Sequence, residues 1–187
     1  MYDFKTLEQN MLAFWQESGT YRKMKAMLKD GPKFYFVDGP PYATGNLHPG
    51  TVWNKCIKDC MIRYLRGRGY DVRDQPGYDT HGLPIEVKVE KLLEIRNKDE
   101  IERIGIERFI TECKGFADKY IKIMDGQFGM FGVWMDWESP YITYKDSFIE
   151  KAWSTIRKAS EQNLLHRGKI RAALLRKVRD HACELRA

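Results

Sequence analysis

Residues 38–51 read Asp-Gly-Pro-Pro-Tyr-Ala-Thr-Gly-Asn-Leu-His-Pro-Gly-Thr. An alternating stretch, Lys33 to Val37, precedes this run, and a helical pattern, Val52 to Leu65, follows it. A strand that feeds a Gly/Pro-rich loop into a helix N-terminus is where α/β folds bind phosphates, because the first turn presents unpaired N–H groups. The loop adds a histidine at the helix mouth and glycines that let a ligand approach the backbone. Together these features point to ATP chemistry.

Working outward, Phe34 and Phe36 point to one side of the strand and Tyr35 and Val37 to the other. Thr51 is placed to cap the helix, and Gly67-Arg68-Gly69 ends it near Arg66. Tyr70–Arg73 reads as a second strand. Strand, helix and strand make one right-handed βαβ unit with a parallel pair. The next stretch, Gln75–Pro84, is a loop past the end of the second strand. It therefore shares a sheet rim with the first loop, where ligands of open α/β folds sit.

Upstream, Phe4, Leu7, Met11, Phe14, Trp15 and Tyr21 recur at helical spacing, so residues 4–28 are expected to form one amphipathic helix stopped by Asp30-Gly31-Pro32. Downstream, helices are expected over about 85–95, 107–131 and 146–163, with a short turn at 98–103. An irregular aromatic-rich stretch covers 132–144. The fold class is α/β: a partial Rossmann-like half with parallel strands, then a helical segment. The expected organisation is an N-terminal helix (1–32), the Rossmann-like half (33–95), a helical continuation (96–168) and a basic tail (169–187).

The chain has 187 residues, 43% hydrophobic, enough for one sizeable core. No apolar run has the length of a membrane span, and the start, Met-Tyr-Asp-Phe-Lys, lacks a signal-peptide layout, so a cytoplasmic protein is expected. Residues 167–187 hold seven Lys/Arg against two Asp/Glu, so five of the six net positive charges lie there. A general nucleic-acid-binding reading of the main body is weakened accordingly. Cys56, Cys60, Cys113 and Cys183 fit no metal or disulfide spacing, and Cys56 and Cys60 are expected reduced and half-buried on one helix. No zinc site is expected.

Three stretches carry a family resemblance: Gly39-Pro-Pro-Tyr42, Gly45-Asn-Leu-His-Pro-Gly-Thr51, and Pro76-Gly-Tyr-Asp-Thr-His-Gly-Leu-Pro-Ile-Glu86. With Phe131-Gly-Val-Trp-Met-Asp-Trp137 and Tyr141-Ile-Thr-Tyr144, they resemble the class I aminoacyl-tRNA synthetases, and most closely the isoleucine enzymes of archaeal type. The likeness runs over about residues 4–168. It implies ATP-dependent activation of isoleucine to the aminoacyl adenylate, then transfer to tRNA, with Mg²⁺ arriving as the ATP complex. By the resemblance, His48, Gly50 and Thr51 are the candidate catalytic residues. Gly45, His48, Gly50 and Thr51 bind ATP; Pro40, Pro41, Asp79 and His81 hold the amino acid.

Each residue also has a plainer reading. His48 either donates to phosphates or simply caps and packs. Gly50 admits the nucleotide or is a turn glycine. Thr51 bonds a ligand oxygen or caps, and Asp79 holds the substrate ammonium or makes an Asx turn. His81 supports its loop or approaches ATP. Trp134, Trp137, Tyr141 and Tyr144 pack a core rather than stack bases.

Two departures stand out. The family signature is His-x-Gly-His, and here its fourth position is Thr51, as in the archaeal-type variant. The second catalytic half with its Lys-Met-Ser-Lys-Ser loop is missing, as is room for editing and anticodon-binding domains. The expectation is a truncated N-terminal catalytic piece, with isoleucine, ATP, tRNA and a complementing chain for the second half as the candidate partners. Two alternatives remain: a nucleotide-binding or interaction module without turnover, and a small nucleotidyltransferase with the same His-x-Gly-His signature.

Overall fold

The computed structural model describes residues 3–168, so the expected basic tail, with His181 and Cys183, lies outside the described residues. The described residues divide into two compact units, the first ending at Ile149 and the second starting at Glu150.

In the first unit the N-terminal segment is two helices, α1 (Phe4–Ser18) and α2 (Thr20–Met27), not one. Gly19 takes φ 61° between them and ends α1, a left-handed conformation that an L-residue with a Cβ rarely adopts. Asp3 caps α1 through the backbone N–H groups of Lys5 and Thr6.

The expected βαβ unit follows as β1 (Lys33–Val37), α3 (Pro49–Gly67) and β2 (Asp71–Gln75). β1 and β2 pair in parallel with Lys33 opposite Asp71 and Val37 opposite Gln75. The second strand runs two residues further than the sequence suggests. After Pro76, which has no N–H to donate, the chain resumes pairing as β3 (Gly77–Tyr78). Its parallel partner is β4 (Tyr141–Ile142), a strand hidden in the aromatic stretch. Asp79 then forms a bridge with Tyr42. Much of the expected second loop is thus extended and paired.

Helices α4 (Leu83–Leu92), α5 (Lys98–Ile104) and α6 (Ile106–Met130) come next, and α7 (Asp146–Glu161) begins in the first unit. The apolar core gathers Ile62, Val72, Tyr78, Ile85, Val89, Ala117, Met124, Phe128 and Met135. Trp134 meets Trp15 edge-on at 4.9 Å and Trp137 stacks on Phe128 at 5.2 Å, so both tryptophans pack. In the second unit, α7 continues from Glu150 with Arg157 and Glu161 paired at 3.7 Å, and Trp153 and Ile156 exposed.

Cys56 and Cys60 are free and exposed rather than half-buried. Their positions on α3 alternate with Lys55, Asp59, Ile62 and Arg66, which fill the buried face, so the cysteines turn outward.

Candidate active site

The first loop is anchored at its entry. The Asp38 carboxylate is fully enclosed. It accepts from Lys55 Nζ, from Lys58 Nζ at 2.9 Å and from the Gly77 N–H at 3.3 Å, while the Tyr141 hydroxyl donates to the Asp38 carbonyl. One residue therefore ties the end of β1 to α3, β3 and β4. Burial pushes the Lys55 ammonium below lysine's ordinary value, against the pull of Asp38. The same ammonium sits 4.9 Å from the Phe128 ring centre and 5.8 Å from that of Trp137.

The loop then reaches the mouth of α3. His48, not Thr51, is the N-cap: its Nδ1 accepts from the Thr51 N–H at 3.3 Å. Its Nε2 lies 2.9 Å from Thr51 Oγ1. With Nδ1 accepting, Nε2 carries the ring proton and donates to that hydroxyl. Thr51 sits inside the first turn because Pro49, which needs no N–H partner there, starts the helix two residues earlier. Gly50 leaves room for this histidine: a Cβ there would stand 3.1 Å from the imidazole ring, which would have to shift.

Gly39, Pro40, Pro41, His48, Gly50, Thr51, Asn54 and Lys55 surround an open cleft of about 240 Å³. The two ligand loops are clasped by backbone: the Ala43 N–H donates to the Asp79 carbonyl at 3.0 Å, and the Asp79 N–H to the Pro41 carbonyl at 2.9 Å. His48, Gly50, Thr51, Pro40 and Pro41 are thus brought to one cleft. Gly45 and Asp79 do not border it. The Asp79 carboxylate is half-buried and has one long contact, from Thr143 Oγ1 at 3.5 Å. His81 lines a different cavity, of about 410 Å³, with Thr80, Ile85, Phe109, Cys113 and Tyr144. There burial and nearby glutamates, Glu86 first, push the Cys113 thiol up to about 11.

Sequence reasoning missed Asp38, Lys55, Lys58 and Tyr141. The signal was modest: an acid beside the Gly-Pro-Pro triplet, and two lysines three apart on α3. No group of three or more His, Cys, Asp or Glu side chains that would hold a metal ion occurs among the described residues.

Residues 10–177 match the family model described as tRNA synthetases class I (I, L, M and V). The chain belongs to the class I tRNA synthetases. An isoleucine–tRNA ligase of Pyrococcus abyssi is 55% identical over 169 residues, 90% of this chain and 16% of that protein. The isoleucine–tRNA ligase of Haloarcula marismortui is 48% identical over 167 residues, 89% of this chain and 16% of that protein. The chain therefore spans about a sixth of the length of the curated relatives it matches. A solved synthetase structure, the ternary complex LeuRS–tRNA–LeuAMS of Agrobacterium radiobacter K84 agnB2, superposes with a TM-score of 0.63. It is 21% identical and is covered to 19% by this chain, which it covers to 90%. That likeness establishes the synthetase fold for the two strand pairs and their helices. The family's partial Rossmann-like half, read from the sequence, is what the structure contains.

Proposed function

We propose that this chain is the N-terminal catalytic piece of a cytoplasmic isoleucine–tRNA ligase. The observation that carries the reading is the cleft at the mouth of α3, bordered by His48, Gly50 and Thr51 and clasped to the Asp79 loop. ATP, as its Mg²⁺ complex, lays its phosphates along this helix N-terminus. Isoleucine is held between the Pro40-Pro41 turn and the Asp79 carboxylate, with His81 supporting the second loop. The amino-acid carboxylate attacks the α-phosphate, a P–O bond to pyrophosphate breaks, and the aminoacyl adenylate forms for transfer to tRNA. Negative charge grows on phosphate oxygens, so positioned donors carry the catalysis. The Nε2–H of His48 is such a donor, parked on Thr51 Oγ1 until phosphate replaces that hydroxyl. Gly45 and Gly50 keep the loop close to the nucleotide.

The test is isoleucine-dependent exchange of pyrophosphate into ATP. It is run on this chain alone and on this chain mixed with a second polypeptide, the remainder of the Pyrococcus abyssi ligase. We expect exchange in the mixture, falling at least a hundredfold with His48→Ala. Full exchange by the His48→Ala mixture would sink the reading.

A further inference from the structure

The Asp38 cluster holds a cation that the site above does not use. Lys55 and Lys58 both donate to Asp38, yet their surroundings differ. The Lys55 side chain is 3% exposed and is enclosed by Asp38, Phe128 and Trp137. Asp125, on α6, also attracts it and itself accepts from the Tyr78 hydroxyl. The Lys58 side chain is 22% exposed. Among the described residues its ammonium meets one acceptor, Asp38 Oδ1 at 2.9 Å, which leaves two of its three donors unspent. It lies directly beneath Gly39: a Cβ built there would stand 3.7 Å from Lys58 Nζ. Gly39 borders the cleft. With glycine at this position no side chain lies over the ammonium on that side.

We propose that Lys58 supplies an ammonium that binds the phosphates of a nucleoside triphosphate in this cleft, with Asp38 and Lys55 holding it in position. The proposal rests on the nucleotide reading of the cleft and adds a residue to it. Chemistry favours phosphate over other anions. The α3 N-terminus offers N–H groups and Lys58, next to Gly39 at the cleft border, a point charge, so an extended polyanion meets both. An enclosed carboxylate that spends one oxygen on each lysine fixes the direction of Lys58 without blocking it.

The test uses the 187-residue chain and two probes, ATP and adenosine, titrated by calorimetry. Lys58→Met removes the charge and leaves the Lys55–Asp38 pair intact, so the protein keeps its fold; a melting curve checks this. We expect ATP binding to weaken about tenfold, as for loss of one charge-assisted contact, with adenosine binding unchanged. Lys58→Arg restores most of the loss. Lys58→Gln, which also removes the charge, gives the same selective loss and serves if Lys58→Met unfolds. If ATP affinity is unaltered, or ATP and adenosine weaken together, the proposal is overturned while the nucleotide reading stands. If the unaltered chain binds neither probe, both fall.

Discussion

The two faces of α3 are built by opposite rules. The inward face, Lys55, Asp59, Ile62 and Arg66, is mostly charged and buried. The outward face, Trp53, Ile57, Met61 and Tyr64, is apolar and 54–71% exposed. An ordinary amphipathic helix does the reverse. The inward charges are tolerable because each has a partner: Lys55 on Asp38, Asp59 on Arg63 and the Trp134 N–H, Arg66 on Asp74. On β1, Tyr35 is 69% and Val37 82% exposed, on the sheet face opposite Phe34 and Phe36. Among the described residues β1 has only β2 beside it, whereas parallel sheets are normally covered on both faces. The lesson is that this chain carries a finished site and an unfinished surface on one helix.

The largest expected effect breaks the finished side. Asp74 is fully enclosed and accepts from Tyr21 Oη and Lys25 Nζ, both at 2.8 Å, and from Arg66. Asp74→Ala leaves the Arg66 guanidinium buried without its acid, which costs about 3–5 kcal/mol. Urea unfolding measures it. The paired change Asp74→Leu with Arg66→Met removes both charges and is expected to cost much less. A loss of under about 1 kcal/mol for the single change would show that the inward charges are not what holds α3.

Next comes Gly77. A Cβ there would sit 2.0 Å from the Tyr141 ring, so Gly77→Ala must displace that ring or the β4 strand that carries it. Overpacking of this kind costs about 1–3 kcal/mol. Gly77→Ala with Tyr141→Ala, which clears the ring, should recover part of the loss in the same unfolding assay.

Tyr141 gives a smaller, pH-dependent effect. Its hydroxyl donates to the Asp38 carbonyl. Burial first, then the Asp38 and Asp79 charges, push its phenol from 10.0 up to about 12. A phenol whose folded value lies above its unfolded one contributes stability that is whole below pH 10 and is lost between 10 and about 12. Tyr141→Phe therefore costs about 1 kcal/mol at neutral pH and flattens the alkaline limb of the melting profile over that window. An unchanged alkaline limb would contradict the assignment.

What the sequence disclosed divides along the same line. The β1–α3–β2 unit was legible because strand alternation, the Pro49 start and the Gly67-Arg68-Gly69 stop are local signals. The split at Gly19 was obscured because apolar spacing continues through it, although Phe4 and Phe14 remain exposed. β4 was invisible: two residues in an aromatic run acquire strand character only from Gly77 and Tyr78, far away in sequence. The candidate residues His48, Gly50 and Thr51 were legible as a motif. The capping role passed from Thr51 to His48 because the position of Pro49 moves the helix start. Asp38 and its lysines were not legible, since what defines them is burial, and burial depends on partners 17 and 20 residues along the chain.

The smallest effect on stability tests the unfinished side. Ile57 is 54% exposed and Met61 57% exposed, so replacing both with lysine removes almost no buried contact, and unfolding free energy should move by no more than about 0.5 kcal/mol. Self-association should move much more. An exposed apolar helix face of Trp53, Ile57, Met61 and Tyr64 is the kind of surface that pairs with other chains. The unaltered chain is expected to elute from a sizing column with a concentration-dependent apparent mass, and the Ile57→Lys, Met61→Lys protein as a monomer. If the double variant instead unfolds readily, the outward face is already packed and the contrast between the two faces of α3 is lost. If both proteins are monomeric at every concentration, the apolar strip is tolerated in water and the surface needs no partner.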